Sequence, residues 1–139
     1  MTPTARNGNC AGAILRQDGQ VLLGVRSASK ANYPNCWDVF GGGVEPGESL
    51  EAALERELKE ELGIRPTSYL RFASLEEPDP RRHGVATYHL FLVMGWDGEP
   101  SLLGDEHNGM EWFSAVDISR LHGLALPELR ETLIRAAGE

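Results

Sequence analysis

Residues 42–64 read GGVEPGESLEAALERELKEELGI, and this stretch decides how the rest of the chain is interpreted. Three of its glutamates, Glu57, Glu60 and Glu61, are spaced i, i+3 and i+4, so they would be neighbours on the surface of a helix. Like charges at this spacing destabilise a helix by roughly 0.2–0.5 kcal/mol per pair. Carboxylate oxygens are ligands that suit Mg²⁺ and Mn²⁺. The spacing indicates a divalent-cation site, and a solvated acidic helix face is the alternative.

Two of these carboxylates also fall on the apolar side of the expected helix. Its apolar positions recur with helical spacing and are Leu50, Ala53, Leu54, Leu58 and Leu62. Glu57 and Glu61 lie inside this face or at its edge, whereas a plain surface helix would place them opposite the leucines. Because burial of an unpaired carboxylate is costly, the helical wheel alone leaves both interpretations open.

The expected helix has recognisable ends. Ser49 is a candidate N-cap, because its hydroxyl can accept a hydrogen bond from the first turn. Gly63 is the expected C-terminal cap, because glycine adopts the left-handed conformation at low cost. Three glycines at positions 41–43 precede the helix and permit close backbone approach.

The spacing over the whole stretch is more specific than any of these features alone. It runs Gly42, five residues, Glu48, seven residues, Arg56-Glu57-Leu58, one residue, Glu60-Glu61, one residue, Gly63-Ile64. This pattern resembles the signature of the Nudix hydrolases, or MutT-like proteins, at every defined position. The resemblance implies an α+β domain with the Nudix fold, an α/β/α sandwich around a mixed β-sheet.

The same resemblance implies a metal-dependent hydrolase. Its substrate would be a nucleoside diphosphate linked to another group, and its cofactor Mg²⁺, with Mn²⁺ as a substitute. The implied metal ligands are Glu57, Glu60, Glu61 and the Gly42 carbonyl. Arg56 would pair with the signature glutamates and hold them in place.

Two further glutamates are assigned by this resemblance. Glu48 would be an additional partner of Arg56. Glu106 precedes Trp112-Phe113 as in the loop that many Nudix hydrolases carry before their last strand, and there it would reach the metal site. The general base would be Glu57 or Glu106, and a plain acidic loop residue is the alternative for Glu106.

Candidate substrate contacts lie outside the signature. Arg26 ends an expected strand and could hold phosphate through its bidentate guanidinium, or be a surface charge. Trp37 could stack on a base, although a core role is commoner. Arg81 belongs to a basic turn that could meet phosphate or only solvent. Phe40 stands where the family commonly has proline, a departure that concerns the rim of the substrate pocket.

Length and charge narrow the class of protein. The chain of 139 residues favours one domain spanning 1–139. A formal net charge of −8 argues against nonspecific nucleic-acid or anionic-membrane binding. Cys10 and Cys36 are too few for a disulfide framework. The start of the sequence lacks the apolar core of a signal peptide, and no apolar run would span a membrane, so we expect a cytoplasmic protein.

Hydrophobic patterns predict the remaining elements. A hairpin is expected over 9–26 around Asp18-Gly19, and a central strand over 85–96. Residues 64–76 should be extended, with Tyr69, Leu70, Phe72 and Leu75 in the core. A polar loop is expected over 97–109, a short strand over 111–114, a short helix over 116–121 and a closing helix over 127–137.

The candidate substrates share a pyrophosphate bond but differ in the rest of the molecule. Small size and the lack of an extra domain favour a nucleoside triphosphate, with 8-oxo-dGTP and other non-standard nucleotides among the candidates, cleaved to a nucleoside monophosphate and pyrophosphate. ADP-ribose or a nucleotide sugar is the alternative within the family. An isopentenyl diphosphate isomerase is disfavoured by the complete hydrolase signature. A non-catalytic nucleotide sensor is also disfavoured, because no signature glutamate is missing. We expect a monomer or homodimer.

Overall fold

The computed structural model describes residues 8–138, and within them seven strands form one mixed sheet. The strands are β1 (Asn9–Gln17), β2 (Gln20–Arg26), β3 (Trp37–Asp38), β4 (Phe40–Gly43), β5 (Arg65–Glu76), β6 (Thr87–Asp97) and β7 (His107–Ser114). The helices are α1 (Leu50–Leu62), α2 (Pro80–His83), α3 (Ala115–Arg120) and α4 (Leu129–Gly138). Residues 1–7, which bear on the signal-peptide prediction, and Glu139 lie outside the described residues.

The amino-terminal hairpin forms as its turn residues predict. Asp18 and Gly19 have φ angles of 53° and 74°. A two-residue turn with positive φ at both positions matches the twist of antiparallel strands, and Asp-Gly favours it. Strand β1 then runs parallel to β6, whereas its pairings with β2 and β4 are antiparallel. The sheet is therefore mixed, as expected.

The first strand changes partner along its length, and this change opens the sheet. Its carboxyl-terminal part pairs with β2 at Leu15–Gln17. Its amino-terminal part pairs instead with β4, over Cys10–Ala13. Strand β2 meanwhile continues to β3 and β7. Strands β1 and β2 thus diverge, and the residues of 10–12, 26 and 38–43 border the resulting gap.

Helices cover both faces of the sheet. Helix α1 packs its leucines on one core, with Ala11, Leu15, Phe91 and Val93 from the strands. Helices α3 and α4 close the opposite core over Ile14, Leu23, Leu90 and Leu92. This is an α/β/α sandwich around a mixed sheet, as the resemblance implies, so the predicted architecture is confirmed. The assignment of all of 1–139 to one domain stays a prediction.

Several predicted details differ in the structure. Leu70 was expected in the core but is 46% exposed, because β5 is an edge strand with a neighbour on one side only. Strand β7 begins at His107, inside the expected polar loop, since it pairs with the whole of β2. The charged segment after β5 contains the single helical turn α2. None of the helices in residues 8–138 is long and apolar enough to cross a membrane.

Candidate active site

Helix α1 presents its three glutamates to different environments. Ser49 caps its start by accepting a hydrogen bond from the Ala52 N–H at 3.0 Å. Gly63 ends it in the left-handed conformation, with φ of 70°. Glu57 and Glu61 are buried among the leucines, at 7% and 3% exposure. The placement that the helical wheel indicated is therefore confirmed, while the Glu60 side chain remains 58% exposed.

The Arg56 guanidinium joins the helix to the loop before it. Its Nε and Nη2 donate to the two oxygens of Glu48 at 2.8 and 2.9 Å. Nη1 donates to Glu57 Oε2 at 2.9 Å, and Nη2 also donates to the Gly43 carbonyl at 2.9 Å. Glu60 lies 3.7 Å from Nη1. A planar fork with several donors is suited to this task, and it fixes the Glu57 carboxylate.

The glycines before the helix allow the carboxylates to approach the backbone. The Gly41 N–H donates to Glu61 Oε1 at 2.8 Å. At Gly42 a Cβ atom would lie 2.5 Å from Glu57 Oε2, so any larger residue would displace that carboxylate. At Gly41 the φ of 143° and a Cβ position 2.1 Å from the Ala11 carbonyl both exclude a side chain. The β4 backbone and the α1 carboxylates are thus in direct contact.

A cavity of about 540 Å³ occupies the gap between the diverging strands. Helix α1 contributes Glu57, Glu60 and Glu61 to its wall, and the loop before β7 contributes Glu106. On the side of the sheet covered by α4, the lining is largely apolar and includes Leu90, Leu126 and Leu129. The cavity therefore combines an acidic part with an apolar part.

The acidic part brings carboxylates together in a partly buried setting, which raises the pKa of two of them. Burial, and next the Glu57 charge, raise the pKa of Glu61 to about 9, although the Gly41 N–H opposes the shift. Burial also raises the pKa of Glu57, with Arg56 opposing and Glu60 and Glu106 adding to the rise. Clustered, partly desolvated oxygen donors of this kind fit a hard divalent cation.

The carboxylates of the helix line one cavity, but their oxygens do not converge on a single point. In the described part of the chain, no three carboxylate, imidazole or thiol groups are close enough to hold an ion together. Glu57 is engaged by Arg56 and Glu61 by the Gly41 N–H, whereas Glu60 extends towards solvent. A bound cation would draw these side chains together.

Two basic side chains from the β2 end and the following loop reach the cavity. Lys30 donates to Glu106 Oε1 at 2.8 Å, so it ties residues 27–35 to the loop before β7. Arg26 lines the cavity, and its Nε donates to the Asn32 carbonyl at 3.0 Å; its contact with phosphate stays a prediction. Its Nη1 lies 3.5 Å from Asp38 Oδ2.

Asp38 is a cavity residue that the sequence pattern does not indicate. Its side chain is 20% exposed and lines the cavity. Burial raises its pKa to about 6, against the opposing effects of Arg26 and the Val39 N–H. The available signal was an acidic residue inside the otherwise apolar segment Trp37–Phe40, where a charge needs a reason to be retained.

Two predicted substrate contacts lie away from the cavity. Trp37 packs edge-to-face on Phe113, with ring centroids 5.0 Å apart, in the core beneath α4. Its strand pairs with β2, which directs the indole into this core. Arg81 is exposed on α2 and does not line the cavity. The structure thus brings Arg26 to the site but corrects the placement of Trp37 and Arg81.

The departure at Phe40 affects the floor of the cavity. Phe40 is fully buried and lines the cavity from the α1 side of the sheet. Its ring centroid lies 4.8 Å from that of His107. Burial lowers the pKa of His107 to about 4, so this imidazole is neutral at physiological pH.

Comparisons with known proteins point to one family. The family model described as the NUDIX domain matches residues 6–135. The 8-oxo-dGTP diphosphatase of Escherichia coli K12 is 38% identical over 106 residues, which cover 76% of this chain and 79% of the relative. The CTP pyrophosphohydrolase of the same organism is 37% identical over 102 residues, covering 73% and 72%. The crystal structure of a MutT NUDIX hydrolase from Burkholderia pseudomallei has a TM-score of 0.80 at 28% identity, covering 90% and 94% of the two chains.

Proposed function

The chain belongs to the NUDIX family of pyrophosphohydrolases, and from this premise we propose that it hydrolyses a nucleoside triphosphate to a nucleoside monophosphate and pyrophosphate. The observation that carries the proposal is the acidic wall of Glu57, Glu60, Glu61 and Glu106 around one cavity. A polyanionic substrate can bind beside these carboxylates only when cations lie between them and the phosphates. The names of the two curated relatives, an 8-oxo-dGTP diphosphatase and a CTP pyrophosphohydrolase, support a nucleotide substrate.

We propose Mg²⁺ as the cofactor, with Mn²⁺ as a substitute. The residues that would hold it are Glu57, Glu60, Glu61 and the Gly42 carbonyl, all of which border the cavity. When bound, the ion would neutralise diphosphate charge and favour attack by water on phosphorus. Arg56 would keep Glu57 in place during the reaction, with Glu48 holding the other side of the guanidinium.

The proton of the attacking water needs an acceptor near the acidic wall. Burial raises the pKa of Glu106, but the hydrogen bond from Lys30 and the nearby basic groups together outweigh it, so the pKa lies below its ordinary value and the carboxylate is ionised. Glu57 is engaged by Arg56, whereas Glu106 sits on a loop outside the helix cluster. We therefore favour Glu106 as general base, with Glu57 as the alternative. Phosphoryl transfer of this kind depends mainly on positioning and charge.

The apolar part of the cavity would take the nucleoside. Asp38 lines the cavity with a carboxylate that only accepts hydrogen bonds when ionised. A guanine-type base offers two adjacent donors to such a group, whereas adenine offers an acceptor beside its amine. Asp38 thus favours a guanine nucleotide, including 8-oxo-dGTP, over an adenine nucleotide. Arg26 would contact phosphate from the same side.

A substrate panel tests this function. The protein would be incubated with Mg²⁺ and dGTP, 8-oxo-dGTP, CTP, ATP or ADP-ribose, and pyrophosphate and phosphate would be measured separately. We expect pyrophosphate from a guanine nucleotide and loss of activity in Glu60→Gln. Glu55→Gln, a substitution of an exposed glutamate on the same helix, should retain it. Absence of pyrophosphate from every triphosphate, or full activity in excess chelator, would reject the proposal.

The setting of the reaction is a further part of the proposal. A net charge of −8 suits a protein that handles free nucleotides instead of binding nucleic acid or anionic lipid. We propose that it acts in the cytoplasm as a monomer or homodimer. Sedimentation at several protein concentrations would distinguish the two states.

A further inference from the structure

A second buried carboxylate, Glu77, lies outside the signature helix and touches the cavity through two tyrosines. Glu77 follows β5 and is 6% exposed. Its Oε1 accepts a hydrogen bond from the Tyr88 hydroxyl at 2.7 Å. Its Oε2 accepts one from the Tyr33 hydroxyl at 2.8 Å and one from the Asp79 N–H at 2.8 Å. Both carboxylate oxygens are thus engaged.

The two tyrosines belong to segments that are distant in sequence and both line the cavity. Tyr33 lies in the loop between β2 and β3, and Tyr88 lies on β6. Both pack against the core on the α4 side of the sheet, opposite the face that carries α1. Glu77 therefore joins two walls of the part of the cavity that faces away from the α1 glutamates.

The electrostatics show that this carboxylate accepts its hydrogen bonds as an anion. Burial raises the pKa of Glu77, but the bonds from Tyr88, the Asp79 N–H and Tyr33 outweigh it and leave the pKa below its ordinary value. Burial and the same bonds raise the pKa of both tyrosines. Hydrogen bonds to an ionised acceptor are stronger than those between neutral groups.

The loop that carries Tyr33 is held in an uncommon conformation. Tyr33 has a φ of 52°, which is rare for a residue with a side chain. Its ring stacks on His83, with centroids 4.3 Å apart, and His83 Nδ1 lies 2.8 Å from Asn32 Oδ1. Backbone conformations of this kind persist only when the surroundings enforce them, and they cluster at binding sites. Here Glu77 and His83 enforce it.

We propose that Glu77 is a positioning residue for the nucleoside: by holding the hydroxyls of Tyr33 and Tyr88, it sets the distance between two walls of the nucleoside end of the cavity. This inference rests on the proposed function, because it takes the apolar part of the cavity as the nucleoside end. Glu77 contacts the tyrosines and does not itself line the cavity, so its loss should weaken nucleoside binding and leave the chemical step intact.

Glu77→Gln tests this role with almost no change in shape. Glutamine keeps one acceptor oxygen but places an amine where the second oxygen was, so it cannot accept both tyrosyl bonds and the Asp79 bond as the carboxylate does. We expect the KM for the preferred nucleoside triphosphate to rise about tenfold, which corresponds to about 1.4 kcal/mol of binding. The kcat should stay within about twofold, because loss of uniform binding raises KM alone.

Inorganic pyrophosphate supplies a ligand without a nucleoside. Its inhibition constant should be the same for the parent and Glu77→Gln, since it engages only the acidic part of the cavity. Glu76→Gln is the matched control, because Glu76 is the exposed neighbour and its carboxylate accepts from the Thr87 hydroxyl, away from both tyrosines. That control should keep the parental KM and kcat. A Glu77→Gln variant that has a lower melting temperature but the parental KM would overturn the inference and make Glu77 purely structural.

A pair of tyrosine variants decides the question even if Glu77→Gln does not fold. Tyr33→Phe and Tyr88→Phe keep both rings and remove only the hydroxyls that Glu77 holds. The inference requires the double variant to raise KM as Glu77→Gln does, with pyrophosphate inhibition unchanged. A double variant with parental KM for the nucleotide would overturn it.

The two proposals fail in different ways. If the parent produces no pyrophosphate from any triphosphate, the proposed function fails, and the same variants are compared through the dissociation constant of nucleoside monophosphates. Weaker binding in Glu77→Gln but not in Glu76→Gln would still support the inference. If the parent hydrolyses a triphosphate and Glu77→Gln behaves as Glu76→Gln does, only the inference fails. A parent that binds no nucleotide overturns both.

Discussion

At the scale of single residues, the site depends on side chains whose charge is held in a defined place. Arg56 is the clearest case, because one guanidinium contacts Glu48, Glu57 and the Gly43 carbonyl. Glu106 is the second, since Lys30 holds it by a hydrogen bond within the cavity lining. Asp38, which is partly buried, and Glu77, which is buried, are carboxylates that the signature does not include. Each of these groups is positioned by another side chain instead of by solvent.

Arg56→Lys should be damaging although it preserves the charge. Lysine offers a point charge and cannot bridge two carboxylates and a carbonyl as the planar fork does. We expect kcat to fall by about tenfold or more, because a misplaced Glu57 loses the geometry for reaction. Steady-state kinetics would measure it. Arg65→Lys is the control, because Arg65 forms an exposed pair with Asp97. If both variants keep the parental kinetics, Arg56 forms only ordinary ion pairs and does not position Glu57 for the reaction.

Glu106→Gln addresses the identity of the general base. If Glu106 accepts the proton, kcat should fall by roughly 10² to 10⁴, the usual contribution of a positioned base. Affinity for metal and substrate should stay near parental, and the residual rate should rise with pH as hydroxide replaces the base. Glu99→Gln, in the same exposed loop region, is the control. A small loss of kcat would favour Glu57 as the general base. A loss of metal affinity would indicate that Glu106 is a metal ligand.

At the scale of elements, strand β4 and helix α1 act as one unit. The strand ends in glycines, and the helix packs its buried carboxylates directly on their backbone. The Ser49 and Gly63 caps fix where the helix starts and ends, so they fix which glutamates face the glycines. The contact between the two elements, and not the helix alone, defines the acidic wall.

Gly42→Ala should disturb this contact without unfolding the protein. The backbone at Gly42 does not require glycine, but the new Cβ would lie 2.5 Å from Glu57 Oε2. The carboxylate must move, so we expect weaker Mg²⁺ binding and lower kcat, measured by calorimetry and kinetics. Gly109→Ala is the control, because a Cβ there meets nothing within 4 Å. If Gly42→Ala keeps the parental metal affinity, metal binding does not depend on the present position of the Glu57 carboxylate.

At the scale of the whole molecule, the divergence of β1 from β2 creates the site. The acidic wall belongs to the helix on one face of the sheet, and the apolar lining belongs to the face covered by α4. The gap between the strands joins the two. Folding without metal must therefore bury carboxylates close together. The free energy of unfolding should then depend on whether these carboxylates are ionised.

Stability should fall with rising pH in the absence of metal. Burial raises the pKa of Glu61 to about 9 from its ordinary value of 4.5, so the folded state holds a proton that the unfolded chain has released. The free energy of unfolding therefore decreases as pH rises through this window. The folded-state pKa values of Asp38 and His107, about 6 and about 4, lie below pH 7.

Thermal unfolding between pH 7 and 9 measures this effect. We expect the melting temperature of metal-free protein to decrease over that range, and added Mg²⁺ to reduce the slope because it stabilises the ionised carboxylates. Glu61→Gln should remove most of the slope, and Glu55→Gln should preserve it. A melting temperature that rises between pH 7 and 9 without metal would contradict the buried, protonated state of Glu61.

The sequence by itself determined the features that depend on local spacing. Helix α1, its caps and the inward position of Glu57 and Glu61 follow from a 3.6-residue repeat and from capping preferences, which need no distant contact. The hairpin at Asp18-Gly19 is equally local. The Nudix fold followed from the signature, which lies almost entirely within this one helix and the loop before it.

Only the tertiary structure decided which other residues share the cavity. The bond between Lys30 and Glu106 joins residues 76 apart in sequence, and that between Tyr33 and Glu77 joins residues 44 apart. No local pattern encodes such pairs, because they depend on which strands the sheet places side by side. The placement of the strands also decides that Trp37, whose aromatic ring could have stacked on a base, lies in the core. Asp38 beside it faces the cavity. Adjacent residues on a strand point to opposite faces, and only the packed sheet determines which face is the site.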